Sequence, residues 1–427
     1  TPSADSRPAV RRDLPPEESI LFEEVVSVLK RNFILFGFNP LETPVLERFD
    51  TLASKYAGGV EILKEMFQLM DQGKRALALR YDLTVPFARF VAMNPQLKLP
   101  FKRYQIGKVF RDGPVSTNRL REFTQCDCDI VGTKSLVADA ECIQLYLKCF
   151  SELGLDVVVR VNNRKILDEM MKKLNISEAL RDAVILALDK IEKKTKKEVE
   201  DEIAALGVSR ENMGKLFSML SVDGNNKEIV ARLEKFLGES HGVLELKDVL
   251  RYSPSKNVRV VPSLARGLSY YTGTIFEVYL KDGSIPQSIG SGGRYDTMIG
   301  SFVGGPQEFP AVGCSFGLDV IINALRAKRK QVKKSVAQVY VIPIGVDVKK
   351  VLNIVKELRD AGIATDVALD KKGVSKNLDY ADKYGIPYVV LVGEDELKKR
   401  KVKVKDMTSG KEKILAISSV VKELVNI

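Results

Sequence analysis

Hydrophobic residues in the first third of the chain recur at two spacings. Residues 17–36 follow a helical spacing, shared by Ile20, Leu21, Val25, Val28 and Leu29. Gly37 and Pro40 predict the end of that helix. Residues 101–131 instead predict two strands, joined by a polar loop over residues 112–118 whose Gly-Pro step is a turn signal. This part of the chain is therefore predicted to mix α and β structure.

The pattern changes twice further along. From about residue 165 to 250 it is helical with mixed-charge faces, which predicts a small helical domain inserted between two β-rich parts. Strand-like segments resume at residue 258, and residues 311–320 lead from a strand into a helix. Six of the nine residues over 326–334 are basic, as in a linker. Residues 335–427 alternate strands and helices, which predicts a parallel or mixed α/β domain.

Charge and composition narrow the chemistry. The chain has 67 Lys and Arg against 56 Asp and Glu, a net charge of +11 that suggests a polyanionic partner. The single histidine, His241, excludes a multi-histidine zinc site. A Ser-His-Asp triad would have to use this same histidine, which lies in a run predicted to be a polar loop. The sequence has no G-x-x-x-x-G-K-[ST] motif, which excludes P-loop nucleotide chemistry.

The hydrophobic pattern of the sequence shows no segment suited to membrane insertion or export. No apolar run approaches the roughly 20 residues needed to span a bilayer. The N-terminal residues lack an apolar signal core. We therefore expect a cytosolic chain without a membrane partner. None of the five cysteines forms a C-x-x-C pair, and we expect them to be buried free thiols.

The strand predicted over residues 121–130 has one unusual face. Strand alternation separates a face predicted to be core (Thr124, Cys126, Cys128, Ile130) from a polar face with one aromatic (Arg121, Phe123, Gln125, Asp127, Asp129). The polar face suits either solvent or the floor of a ligand site. Nearby arginines favour the ligand site, because a guanidinium group binds two phosphate oxygens at once. The four are Arg103, Arg111, Arg119 and Arg121.

Two further segments are candidates for ligand contact. Residues 263–273 place Arg266 beside a glycine and follow it with Tyr270 and Tyr271. Residues 290–296 combine glycines, which allow close backbone approach to a ligand, with Arg294. Each is a weak signal alone, and the second lacks the full G-x-G-x-x-G spacing of a dinucleotide fold.

Taken in order, these segments resemble the histidyl-tRNA synthetases, a family of class II aminoacyl-tRNA synthetases, over nearly the whole chain. The general class II motifs are matched by residues 37–47, 110–125 and 310–318. Sequences particular to the histidine enzymes are matched by residues 79–86, 266–273 and 292–296. Residues 335–427 resemble the anticodon-binding domain of several class II synthetases.

The resemblance implies a mixed α/β (α+β) fold. The catalytic domain, an antiparallel sheet flanked by helices, is expected over residues 1–164 and 251–325, with a helical insertion domain over 165–250. A basic linker over 326–334 would join it to an α/β anticodon-binding domain over 335–427. The resemblance also implies a homodimer in the cytoplasm. Its expected partners are L-histidine and histidine tRNA, with ATP and Mg²⁺ as cofactors, and no side chain is assigned as a metal ligand.

The resemblance also assigns roles to individual residues. For ATP, Arg111 and Arg266 would contact the α-phosphate from opposite sides as the catalytic residues, Phe123 would stack on adenine and Arg119 would reach the terminal phosphates. For histidine, Asp82 and Thr84 would bind the amino group with Gln125 nearby, and Asp129 and Tyr271 would contact the imidazole. The remaining histidine-binding residues are Tyr270 and Arg294.

Four departures from the family pattern leave an alternative open. Val320 stands where motif 3 usually has arginine, Ser269 replaces an aspartate, Gly113 replaces a glutamate, and residues 8–13 keep only part of an early signature. Val320 and Ser269 favour a catalytically silent synthetase-like module that binds tRNA or regulates another enzyme. The retained arginines, carboxylates and paired tyrosines favour an active histidine–tRNA ligase. A general RNA-binding protein is a third hypothesis.

The basic run over residues 398–405 also has two interpretations. It suits a surface that contacts tRNA, and it equally suits a solvated edge strand whose lysines prevent strand-to-strand association.

Overall fold

The computed structural model describes residues 13–53, 63–114, 120–191, 194–266, 270–304, 307–329, 333–370 and 372–425. It divides into two compact units, one containing residues 25–328 and the other containing residues 13–24 and 329 onward. Within the described part of the chain, no helix is long and apolar enough to cross a bilayer.

The helices and strands have the following bounds. The helices are α1 (Pro16–Leu35), α2 (Phe49–Leu52), α3 (Thr84–Met93), α4 (Val137–Glu152), α5 (Arg164–Lys173), α6 (Glu178–Leu188), α7 (Lys196–Ala205), α8 (Arg210–Leu220), α9 (Asn226–Leu237), α10 (His241–Tyr252), α11 (Met298–Val303), α12 (Leu318–Lys328), α13 (Val348–Asp360), α14 (Val374–Lys383), α15 (Glu394–Lys398) and α16 (Ile417–Val425). The strands are β1 (Asn39–Pro40), β2 (Leu46–Arg48), β3 (Gln68–Met70), β4 (Ala76–Leu79), β5 (Phe101–Phe110), β6 (Glu122–Val131), β7 (Val157–Asn163), β8 (Val258–Val260), β9 (Thr274–Leu280), β10 (Gly290–Arg294), β11 (Ala311–Gly317), β12 (Val339–Pro343), β13 (Thr365–Val367), β14 (Tyr388–Val392), β15 (Lys401–Asp406) and β16 (Glu412–Ala416).

The predicted first helix is present as α1. Val25, Leu29 and Phe33 are spaced four residues apart and fully buried, because residues at this spacing share one helix face. Gly37 follows the helix with a φ of +77°, a conformation that glycine adopts without the steric cost of a Cβ.

An eight-stranded sheet forms the centre of the larger unit, in the order β1-β5-β6-β11-β10-β9-β7-β8. Its six inner strands pair antiparallel, and the two edge pairs, β1 with β5 and β7 with β8, are parallel. The predicted pair of strands over 101–131 is confirmed as β5 and β6, which place Arg103 opposite Asp129. The sheet and the smaller unit agree with the expected mixed α/β fold.

One face of this sheet is covered by helix α4. Tyr146 packs against both Phe150 and Phe316, with ring centroids 6.0 Å and 4.7 Å away. The predicted core face of β6 packs here, since Cys126, Cys128 and Ile130 are buried. All five cysteines are buried and free, as predicted.

Six helices, α5–α10, follow β7 and precede β8. Side-chain caps define several of their starts: Thr195 and Glu198 form a capping box at α7, and Asn225 and Glu228 form another at α9. The prediction of a loop at His241 is wrong. His241 is the first residue of α10, because the Ser240 hydroxyl accepts a hydrogen bond from the Val243 amide at 3.0 Å and caps the helix.

The smaller unit contains a five-stranded sheet in the order β13-β12-β14-β15-β16. The first three strands are parallel and the last two pairs are antiparallel, so the sheet is mixed, as predicted. Val351 and Val355 of α13 pack on one face, and Ala381 of α14 packs on the other. The edge-strand interpretation of the basic run is wrong, because β15 lies between β14 and β16.

Candidate active site

The sheet face opposite α4 carries a group of polar residues, called the polar face below. Cross-strand register and strand alternation place them together on β5, β6, β11 and β9. They are Arg103, Gln105, Gln125, Asp127, Asp129, Ser315 and Glu277. The polar side chains predicted for one face of β6 therefore lie beside polar side chains of β5, β11 and β9.

Asp129 lies at the centre of a buried cluster. Its carboxylate is 2.6 Å from Arg103 Nη2 and accepts a hydrogen bond of 2.5 Å from the Tyr295 hydroxyl. Burial raises the pKa of Asp129, while the charge of Arg103 and the hydrogen bond from Tyr295 oppose that shift. Gly313 lies directly across on β11, where a Cβ would overlap Asp129 Oδ1. Glycine at this position therefore makes room for the carboxylate.

Arg103 does not belong to a phosphate-binding group, contrary to the prediction that four arginines of this hairpin surround a polyphosphate. It is fully buried, donates to the Leu83 carbonyl at 3.1 Å and lies 4.4 Å from the centre of the Phe87 ring. Arg121 has local partners, because its Nε donates to the Gly113 carbonyl at 3.2 Å and lies 3.4 Å from Asp112. Arg103 is therefore paired with Asp129 inside the sheet, away from the exposed end of the hairpin.

The structure brings Arg111 and Phe123 together at the open end of the hairpin. The guanidinium of Arg111 lies 5.1 Å from the centre of the Phe123 ring, and its Nε donates to the Tyr81 carbonyl at 3.1 Å. Both side chains are half-buried, which leaves surface for a ligand. Arg119, predicted to reach the terminal phosphates, lies outside the described residues.

Asp82 and Thr84 lie where the chain enters helix α3. Asp82 accepts a hydrogen bond from the Val85 amide at 3.1 Å, while Thr84 begins the helix and is half-buried. Burial raises the pKa of Asp82 to about 6, although Arg111 and Arg103 oppose the shift. Asp82 therefore belongs to the same electrostatic cluster as Asp129, whose negative charge also raises its pKa.

Arg266 and the paired tyrosines lie on the other side of this cluster. Arg266 Nη1 donates to Glu277, and its guanidinium is 5.9 Å from the Tyr271 ring centre. The ring centres of Tyr270 and Tyr271 are 4.6 Å apart, and Tyr270 packs edge-on against Tyr295 at 5.9 Å. Residues 267–269, including the departure at Ser269, lie outside the described part of the chain.

Two functional residues were missed by the sequence reasoning. Glu277 holds Arg266 and also accepts from the Tyr279 hydroxyl at 2.6 Å. Tyr295 donates to Asp129. An acidic residue alternating with apolar ones in the predicted strand over 274–279 was the available signal for Glu277. Tyr295, next to Arg294, carried no signal that distinguished it from core.

Gln125 faces the pocket on β6. Its amide nitrogen lies 3.5 Å from Ser315 Oγ, and its side-chain oxygen is buried without a hydrogen-bond partner among the described residues. A buried polar atom without a partner carries a free-energy cost, so this oxygen is available to a ligand donor.

Arg294 points away from the polar face, unlike the other predicted histidine-binding residues. It pairs with Val312 across β10 and β11, on the face covered by α4. There its guanidinium binds Asp139 and donates to the Thr133 carbonyl at 3.1 Å and the Ser135 carbonyl at 3.2 Å. The prediction that Arg294 lines the histidine pocket needs correction: it ties β10 to α4, because strand alternation turns it from the site.

The motif 3 departure lies beside the polar face. Val320 occupies the first turn of α12, next to Gly317, the β11 residue that pairs with Gln125. An arginine there would have added a cation at this end of the sheet, which valine does not supply.

Comparisons with known proteins agree with this architecture. The family model for histidyl-tRNA synthetase matches residues 11–321, and the anticodon-binding domain model matches residues 338–427. Histidine–tRNA ligase 1 of Bacillus cereus is 44% identical over 416 residues, covering 96% of each chain. The Clostridium tetani histidine–tRNA ligase is 36% identical and covers 97% of this chain and 96% of its own.

Solved structures give the same result. The crystal structure of histidyl-tRNA synthetase from Nostoc superposes with a TM-score of 0.88, at 31% identity and over 99% of both chains. A Bacillus halodurans structure described as an ATP phosphoribosyltransferase regulatory subunit/histidyl-tRNA synthetase has a TM-score of 0.76 at 22% identity, covering 92% and 99%, which is a likeness of fold alone.

An antiparallel sheet with this polar face, followed by an anticodon-binding domain, is the architecture of an aminoacyl-tRNA ligase. Within that class, the chain belongs to the histidyl-tRNA synthetase family.

Proposed function

We propose that the chain ligates L-histidine to its tRNA through a histidyl-adenylate formed on the polar face. One observation carries this proposal. The buried Arg103–Asp129–Tyr295 cluster, suited to a polar side chain, shares a sheet face with Arg111 and Phe123, suited to a nucleotide. A ligase that joins an amino acid to ATP needs both sites side by side.

The first step needs positioning and charge stabilisation more than covalent catalysis. A carboxylate oxygen of histidine attacks the α-phosphorus, and the bond to the pyrophosphate oxygen breaks as the new P–O bond forms. Arg111 on one side and Arg266 on the other would stabilise the negative charge that develops on the α-phosphate. Glu277 would hold Arg266 in place, and Phe123 would stack on adenine.

Magnesium would be held mainly by the phosphate oxygens of ATP. Among the described residues, no three His, Cys, Asp or Glu side chains gather as a metal site. Mg²⁺ commonly keeps several waters and binds substrate phosphates with few protein ligands. The ion would neutralise the pyrophosphate leaving group, and the protein would contribute the α-phosphate contacts.

Histidine recognition would depend on hydrogen bonds at the buried end of the pocket. Asp129 would accept from an imidazole N–H, with Tyr271 as the second contact, and Asp82 and Thr84 would take the amino group. Arg103 and Tyr295 would orient Asp129 and oppose the rise in its pKa that burial causes. A site built on buried polar groups rejects an apolar side chain strongly, because those groups would be left unpaired.

The tRNA would contact two basic surfaces. One is β15 in the anticodon-binding domain, where Lys401 is exposed and Lys403 and Lys405 are half-buried. The other, the basic cleft, is a cavity of about 1030 Å³ lined by Arg160, Lys227, Lys256, Arg259 and Lys281. Arg160 faces the same side of the sheet as Glu277, its register partner, so the cleft could guide the acceptor end towards the site. We also propose a homodimer in the cytoplasm, with residues 37–47 at the dimer interface.

Histidine-dependent exchange of pyrophosphate into ATP tests the proposal. We expect exchange with histidine and background rates with the other nineteen amino acids. The silent-module alternative, which Val320 favours, predicts no exchange from folded protein that still binds tRNA. A general RNA-binding protein predicts no calorimetric signal with histidine.

A further inference from the structure

Asp127 is a buried carboxylic acid at the centre of the polar face. It lies on β6 between Gln125 and Asp129, with Gln105 opposite on β5 and Ser315 opposite on β11. Residues two apart on a strand point to the same face and lie about 6.7 Å apart. Asp127 is 4% exposed. Because it shares a strand face with Gln125 and Asp129, it faces the pocket in which those two residues would bind histidine.

The protein satisfies this carboxyl group only in part. Ser315 hydrogen-bonds to it, but Asp127 Oδ1 is buried and has no hydrogen-bond partner among the described residues. Burial raises the pKa of Asp127 to about 7, and the charge of Arg103 only partly opposes the shift. Burying a carboxylate without a partner is costly, so such a group calls for a specific reason.

The surrounding charges are unbalanced in a way that a cation would correct. The negative charge of Asp129 raises the pKa of both Asp82 and Asp127, and Asp82 also raises that of Asp127. Arg103 acts in the opposite direction on all three carboxyl groups. Arg103 is already paired with Asp129 at 2.6 Å. Arg111 acts on Asp82. Arg103 and Arg80 act electrostatically on Asp127, but Asp127 forms no ion pair among the described residues.

We propose that Asp127 is a specificity-determining residue that receives the α-ammonium group of the amino acid substrate. An ammonium group has three N–H donors, and Asp82 and Thr84 account for two acceptors in the proposed function. The unpartnered oxygen of Gln125 is a neutral acceptor nearby, and Asp127 supplies the second negative charge. Its position two residues from Asp129 lets one histidine molecule contact Asp129 through the imidazole and Asp127 through the ammonium.

This inference rests on the proposed function. It can be distinguished from a purely structural role for Asp127. If Asp127 only balanced Arg103 or held Ser315, its loss would weaken every ligand of the pocket to the same extent. If it binds the ammonium group, its loss would weaken only the ligands that carry one.

The test compares three ligands by calorimetry on the full chain: L-histidine, histidinol, which lacks the carboxylate, and 3-(imidazol-4-yl)propionate, which lacks the amino group. In Asp127→Asn we expect the affinity for histidine and histidinol to fall about ten- to hundred-fold, the scale of a hydrogen bond between charged groups. The affinity for imidazolylpropionate should stay within about two-fold. Asp282→Asn, which removes a carboxylate from a partly exposed pair with Lys328, is the control and should leave all three affinities unchanged.

Equal losses for the three ligands, or no loss for histidinol, would overturn the inference. If Asp127→Asn does not fold, a structure of the wild-type protein with bound histidinol tests the assignment instead. We expect the ammonium nitrogen to lie within hydrogen-bonding distance of Asp127. A separation above about 4 Å refutes the assignment. Failure of the proposed function looks different, because the wild-type protein would then bind neither histidine nor histidinol.

Discussion

Replacing Arg103 by methionine should destabilise the larger unit strongly. Arg103 and Asp129 are 0% and 4% exposed in their side chains and 2.6 Å apart. Removing one partner of a buried pair leaves an uncompensated charge and typically costs about 3–5 kcal/mol. The Leu83 carbonyl also loses its donor, while methionine keeps apolar contact with Phe87. We expect the free energy of unfolding to fall by about 4 kcal/mol.

The assay is urea unfolding of the full chain, followed by a probe of the larger unit at constant protein concentration. Arg75→Met is the matched control, since Arg75 also pairs with an aspartate, Asp71, at 2.7 Å, but is 74% exposed. That change should cost less than about 1 kcal/mol. Adding Asp129→Asn to Arg103→Met should recover about 2 kcal/mol or more, because the carboxylate left unpaired by the loss of Arg103 is then removed.

The loss should also depend on pH. Without Arg103, burial raises the pKa of Asp129 with less opposition, so its folded-state pKa lies above the unfolded value. The penalty is then absent below the unfolded pKa and grows as pH rises towards the folded pKa. The difference between wild type and Arg103→Met should therefore be smaller at pH 5 than at pH 8. A cost equal to that of Arg75→Met, or no recovery in the double variant, would refute the reasoning.

Three further predictions concern ligands. Arg266→Ala should abolish histidine-dependent pyrophosphate exchange while tRNA binding measured by filter retention stays largely intact; near-normal exchange would contradict the role of Arg266. Gly313→Ala should lower histidine affinity at least ten-fold in calorimetry, because its Cβ would overlap the Asp129 carboxylate; unchanged affinity would show that Asp129 does not contact histidine. Reversing charge at Lys227 and Lys256, which form no ion pair among the described residues, should weaken tRNA binding and flatten its salt dependence. An unchanged salt slope would remove the basic cleft from the tRNA interface.

Local spacing was sufficient to predict much of the fold. The helix over 17–36 and the hairpin over 101–131 follow from periods of 3.6 and 2, which depend on nearby residues alone. The core face of β6 was predicted for the same reason. Motif residues also pointed to the site, since Arg111 and Phe123 lie together at one end of that hairpin.

Contacts between distant strands could not be predicted in this way. Strand alternation shows which residues share a face, but it does not show which face meets the pocket. The family resemblance placed Arg294 at the histidine, whereas the pairing of β10 with β11 turns it towards Asp139. The basic run was open to an edge-strand interpretation until β16 was found to pair with β15.

The sequence alone determined the family, the order of the segments and the residue types available for chemistry, because these depend on motifs and short-range periodicity. The tertiary structure decided which charges oppose one another. Arg103 looked like a phosphate ligand in the sequence, yet it is buried against Asp129. Asp127 looked like one more polar residue of a strand, yet one of its carboxyl oxygens lies buried without a hydrogen-bond partner among the described residues. The physical reason is that burial and charge pairing are properties of strands brought together from positions far apart in the chain.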